Sequence, residues 1–130
     1  MNQVSEAGLP STAHYPILNL GEIYAGILLG KDGQPDEHLI LIEGETESAT
    51  WPEAQEFAKS IGGELPTRRE QALLYANLKE QFKASWYWSG EQHAGTEDWA
   101  WAQHFDSGLQ TNGRKDGRLR ARAVRRLIIE

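Results

Sequence analysis

Two segments of this chain spell the same helix-starting device, and together they fix what the rest can be. In Thr50-Trp51-Pro52-Glu53 the Thr hydroxyl can accept from the Glu53 amide while the Glu53 carboxylate reaches back to the Thr amide, the reciprocal pair of a capping box. Pro52 falls in the first turn, where no amide donor is needed. Trp51, Ala54, Phe57, Ala58 and Ile61 then recur at three and four, one buried stripe, and Gly62-Gly63 supplies a left-handed stop. Thr67-Arg68-Arg69-Glu70 repeats the device ahead of a second helix. Its inner face is Leu74, Leu78 and Phe82, widened by Leu73 and Tyr75, and it is expected to end near Phe82 or Lys83.

The remainder reads as strand. Ile23 to Leu29 and His38 to Ile42 are β-branched and apolar runs around a Gly-Lys-Asp-Gly-Gln-Pro-Asp turn. Ser85 to Ser89, Trp99 to Phe105 and Leu119 to Leu127 follow; in the last, Leu119, Ala121 and Ala123 point one way and Arg120 and Arg122 the other. Residues 1–13 are small, polar and aperiodic and are expected to form a flexible lead-in. The expected fold is therefore α+β, a single domain over 14–130. Two helices pack on a mainly antiparallel sheet whose first and last strands are neighbours.

Composition removes whole classes of function. A chain of 130 residues fits one domain, and the absence of cysteine removes disulfides, thiolate metal sites and cysteine nucleophiles. No secretory leader and no bilayer-length apolar stretch is read, so a cytoplasmic or virion-associated protein without a membrane partner is expected. The charge is divided: residues 1–113 hold 6 Lys and Arg against 17 Asp and Glu, residues 114–130 hold 7 against 2. Nucleic acid is thus disfavoured as a partner, with the basic carboxyl-terminal segment as its only route.

Four ordered blocks carry a resemblance. Gly62-Gly63-Glu64-Leu65-Pro66-Thr67-Arg68-Arg69-Glu70, then Trp86-Tyr87-Trp88-Ser89, then Ala100-Trp101 with Phe105 and Gly108, then Arg122-Ala123-Val124-Arg125 resemble the DUF1566 family. That resemblance implies a C-type-lectin-like fold, similar to formylglycine-generating-enzyme-like domains and to the variable receptor-binding proteins of phages, and a phage or prophage setting. It implies a binding region on residues 84–115. It does not carry over the oxidase chemistry, which needs cysteines that this chain lacks.

Tryptophan dominates the candidate site. Large amphipathic rings on alternating strands either fill a core or form a stacking platform. The family pattern puts Trp88 and Trp101 in the core and leaves Trp86 and Trp99 for the surface. With Tyr87, Asp98, His104, Arg114, Arg120 and Arg122 they make up the expected ligand-binding set. For the arginines three readings stand: pairing with the chain's own carboxylates, an anion-reading edge, or a charged guard on an edge strand.

Catalytic and metal readings are set aside. Gln34-Pro35-Asp36 spells a sugar-selecting calcium motif but sits in a turn between the first strands. His93 and His104, near Glu91, Glu97, Asp98 and Asp106, show no ligand or acid–base spacing. The expectation is a non-catalytic module without cofactor or metal, offering a Trp-rich surface to a protein or glycan. The alternative is a phage-encoded intracellular inhibitor or accessory protein that engages a host nucleoprotein or enzyme through its acidic surface or basic last strand. The sequence leaves its oligomeric state open.

Overall fold

The computed structural model describes residues 16–130, so the lead-in expected over 1–13 lies outside the described residues. The opening strands, β1 (Ile23–Leu28) and β2 (Glu37–Leu41), pair antiparallel. Asp32 and Gly33 take positive φ in the turn between them, and the Asp36 carboxylate accepts from the Gly30 amide at 2.8 Å. Asp36 therefore closes its own turn. A short strand β3 (Thr46–Ala49) leads into α1 (Trp51–Ser60), and α2 (Arg68–Leu78) ends in a tighter turn at Lys79–Gln81. Strands β4 (Trp86–Gln92), β5 (Trp99–His104), β6 (Gln110–Arg114), β7 (Leu119–Ala121) and β8 (Val124–Ile128) complete the chain.

Both capping boxes form as their spacing requires: Thr50 and Glu53 at α1, Thr67 and Glu70 at α2, each side chain bonded to the other's amide. Gly62 then turns the chain with φ +88, the left-handed stop expected after α1.

The strands form two sheets, one of three in the order β1-β2-β8 and one of five in the order β3-β7-β4-β5-β6. The pairings are antiparallel except for β4 against β7, which meet in parallel at Tyr87 and Arg120. Strand β8 lies beside β2 in register from Leu41 opposite Val124 to Glu37 opposite Ile128; the closing strand thus joins the opening pair at β2 and not at β1, and the single sheet expected, with first and last strands as neighbours, is two sheets. The molecule is α+β with two helices and mostly antiparallel strands.

The last segment is corrected as well. The segment Leu119 to Leu127 is not a single strand: β7 belongs to the five-stranded sheet and β8 to the three-stranded one, with Arg122 and Ala123 between them. Arg122 turns inward at the crossing, donating to the carbonyls of Gln81 at 2.8 Å and Ile42 at 3.1 Å. The link between the sheets is thus held by a guanidinium that satisfies otherwise loose backbone acceptors.

The five-stranded sheet has a core on each face. Trp88, Ala100, Ala102 and Ala121 pack with Ala54 and Ala58 of α1, and small residues on both sides let the helix approach closely. Tyr87 and Phe105 on the other face join Leu74 and Leu78 of α2 and Leu39, Leu41 and Val124 of the smaller sheet. Arg126 on β8 ties this second layer down by pairing with the buried Glu70 of the α2 cap.

Candidate functional site

The pleat decides which aromatic side chains can act together. Strand β4 pairs with β5 so that Trp86 lies opposite His104 and Trp88 opposite Ala102, while β5 pairs regularly with β6, placing Trp99 opposite Arg114 and Trp101 opposite Asn112. Because side chains alternate, Ala100, Ala102 and His104 point toward α1, and Trp99, Trp101 and Gln103 toward the α2 side.

The eight residues expected to bind ligand are accordingly divided. Trp86 and His104 share the α1 face, where Trp86 is half-buried against the core and stands edge-on to the His104 ring at 5.0 Å. Trp99, Arg114 and Asp98 share a corner on the α2 side; the Arg114 guanidinium lies 6.0 Å from the Trp99 ring and pairs with Asp116. Tyr87 is only 1% exposed and serves the core, so it presents nothing to a ligand. Its hydroxyl donates to Glu45 and accepts from the Lys83 amide, and burial, reinforced by Glu45, pushes the phenol up to about 12.

The arginines of the last segment are held by their own chain, the first of the three readings. Arg120 pairs with Glu45 at 2.8 Å, Arg118 with Glu53, Arg125 with Glu22, Arg126 with Glu70 and Glu64, and Arg122 with the two carbonyls named above. Trp88 is buried as expected, its indole donating to the Ala49 carbonyl at 2.9 Å. Trp101 departs from expectation: it is half-buried, outside the two clusters of buried residues that form the core.

What covers Trp101 instead is a side chain missed at the sequence level. Arg68, the first residue of α2, lays its guanidinium 3.6 Å from the Trp101 ring centroid, and His93 leans on the same indole at 5.3 Å. Arg68 is fixed along its whole length. Its amide donates to the Glu91 carboxylate at 2.8 Å, its carbonyl accepts from the Gln110 side chain at 2.8 Å, and its Nε donates back to Gln110 at 3.0 Å. Gln110 in turn donates to Gln103, whose amide donates to the Gln71 carbonyl, so the clamp is anchored in the buried layer beneath. The available signal was the period of two: Trp99 and Trp101 had to share a face, and the extended Leu65-Pro66 lead had to set Arg68 at the mouth of a capped helix.

Beside this stack runs an open groove of about 800 Å³, lined by Arg68, Arg69, Tyr75, Glu91, Gln103, Leu109 and Gln110 among others. The Tyr75 ring packs under Gly108 and its hydroxyl donates to the Asp106 carbonyl. The groups gathered here stack and hydrogen-bond; a nucleophile with an adjacent base is not among them. Among the described residues no cluster of three or more His, Asp or Glu is arranged to hold a metal ion, and no helix is long and apolar enough to cross a membrane.

No protein-family model matches the chain, and no curated protein matches it in sequence. The resemblance drawn above therefore rests on its four sequence blocks alone.

Proposed function

We propose that the chain is a non-catalytic binding module of C-type-lectin-like architecture, phage or prophage encoded, that presents its Trp99 and Trp101 face and the adjoining groove to a glycan or protein ligand. The observation that carries this reading is the pair of half-buried indoles side by side on one face of β5, each met by an arginine side chain, Arg114 at Trp99 and Arg68 at Trp101. Rigid rings with few rotamers to freeze, rimmed by Arg68, Arg114, Gln110 and Glu91, have the make-up of a recognition surface. The lectin-like assignment is supported by the last strand closing beside the opening pair and by one helix on each face of the larger sheet.

The experiment compares wild-type protein with Trp99→Ala, Trp101→Ala and Trp86→Ala on a glycan array and in pull-downs from bacterial lysate. Loss of at least about 30-fold in affinity at Trp99 or Trp101, with Trp86→Ala unaffected, is the expected result. Retained binding in both β5 variants would remove the face from the site.

A further inference from the structure

Of the arginines among the described residues, Arg68 is set apart by what its terminal nitrogens lack. Arg69, Arg114, Arg118, Arg120, Arg122, Arg125 and Arg126 each donate a terminal nitrogen to a carboxylate or carbonyl of this chain. In Arg68 the protein engages the Nε, the amide and the carbonyl and stacks the guanidinium on Trp101, while no acceptor among the described residues meets Nη1 or Nη2. An arginine held this firmly has already lost the rotamer freedom that binding would otherwise cost. Its unmet edge is a planar fork of donors, the geometry that matches an oxyanion with two oxygens.

Resting on the binding reading above, we infer that Arg68 is the specificity-determining residue of the groove and that the ligand is an acidic saccharide whose carboxylate docks on the free edge of that guanidinium. Three features select this chemistry. A single fork suits a singly charged carboxylate, whereas a phosphate dianion would meet the Glu91 carboxylate in the same groove and a chain of net charge −6, with the open edge of one guanidinium in that groove to oppose them. The Tyr75 ring and the Leu109 side chain give the groove an apolar wall for the CH face of a sugar ring. The Glu91 carboxylate, with one oxygen bonded to the Arg68 amide, offers its other oxygen to a hydroxyl.

The test is an array of uronic- and sialic-acid saccharides, each spotted beside its methyl-esterified neutral counterpart, probed with the wild-type chain and with Arg68→Lys, which keeps the charge but not the fork. The esterified counterparts need no variant, so the result stands even if Arg68→Lys folds poorly, which its melting curve reports. Expected are acidic members bound at least 10-fold more tightly than their esters, and a loss of at least 10-fold in Arg68→Lys. Equal binding of acid and ester, unchanged binding in Arg68→Lys, or no acidic member bound would each overturn the inference. So would displacement of a bound acidic saccharide by inorganic phosphate at lower concentration than by acetate. A neutral glycan or a protein partner that is lost in Trp99→Ala but indifferent to Arg68→Lys would sink this inference and leave the binding reading standing.

Discussion

Trp86 and Trp99 stand on opposite faces of the same sheet: Trp86 meets His104 on the side covered by α1, and Trp99 meets Arg114 on the other. The two substitutions are therefore separable. Trp86→Ala removes packing from the core around Ala54 and Ala58 and is expected to cost about 2–3 kcal/mol in urea unfolding while leaving ligand capture intact. Trp99→Ala is expected to cost under about 1 kcal/mol in stability and to abolish capture. If both behaved alike in both measurements, the division of the sheet into a core face and a binding face would be wrong.

The elements most legible in the sequence were those with local chemistry. Thr50 with Glu53, Thr67 with Glu70, and Gly62 after α1 each carry their instruction within a few residues, and each is found in place. Strands β3 and β6 were not read, because Thr46-Glu47-Ser48-Ala49 and Gln110 to Arg114 are the polar outer strands of the larger sheet and show no apolar alternation. The break between β7 and β8 was hidden for a different reason: the alternation Leu119, Ala121, Ala123 survives on each side of it, and only the inward turn of Arg122 reveals the change of sheet. At the site, Trp99 was legible and Arg68 was not, since its partners Glu91, Trp101 and Gln110 are far away along the chain.

Arg126 and Glu70 offer a test of how the smaller sheet is coupled to α2. The Glu70 side chain is 2% exposed, and Arg126 Nη2 donates to it at 2.8 Å. Removing one partner leaves a buried charge without its counter-ion, so Arg126→Ala is expected to cost about 3–5 kcal/mol. The double variant with Glu70→Gln is expected to be more stable than the sum of the two singles implies, because the stranded charge is gone. Strictly additive urea midpoints would mean that the pair is not coupled.

A second ion pair predicts the acid limb of stability. Arg125 donates Nε and Nη2 to the Glu22 carboxylate, both at 2.8 Å, and this pairing, aided by the Asn19 amide, holds the Glu22 carboxyl at about 2 against its usual 4.5. A depressed folded value means that the contribution is fully present above about pH 4.5 and is lost as pH falls from there toward 2. With allowance for solvent screening at the molecular edge, the change is about 1–2 kcal/mol. Glu22→Gln is expected to lower stability at pH 7 and to flatten the unfolding free energy between pH 4.5 and 2. A variant as steep as the wild type over that range would assign the acid limb to other carboxylates.

The paired glycines after α1 look interchangeable in sequence and are not. Gly62 sits at φ +88 with nothing within 4 Å of where a Cβ would stand, so its constraint is conformational. Gly63 has ordinary φ, but a Cβ there would come 2.6 Å from the Val124 carbonyl oxygen and 2.5 Å from Ile42 Cδ1, at the point where Glu64 bridges to Val124. A strained φ costs a single residue about 1 kcal/mol, less for Asn, which tolerates the left-handed region. A clash with backbone cannot be relieved by a rotamer change, so Gly63→Ala is expected to cost about 2–3 kcal/mol by prising β8 from the segment that follows α1. The ranking to be checked by urea unfolding is Gly62→Asn mildest, Gly62→Ala next and Gly63→Ala worst. If Gly63→Ala proved the milder of the two alanine variants, the close approach of Gly63 to Val124 would not be what the glycine is for.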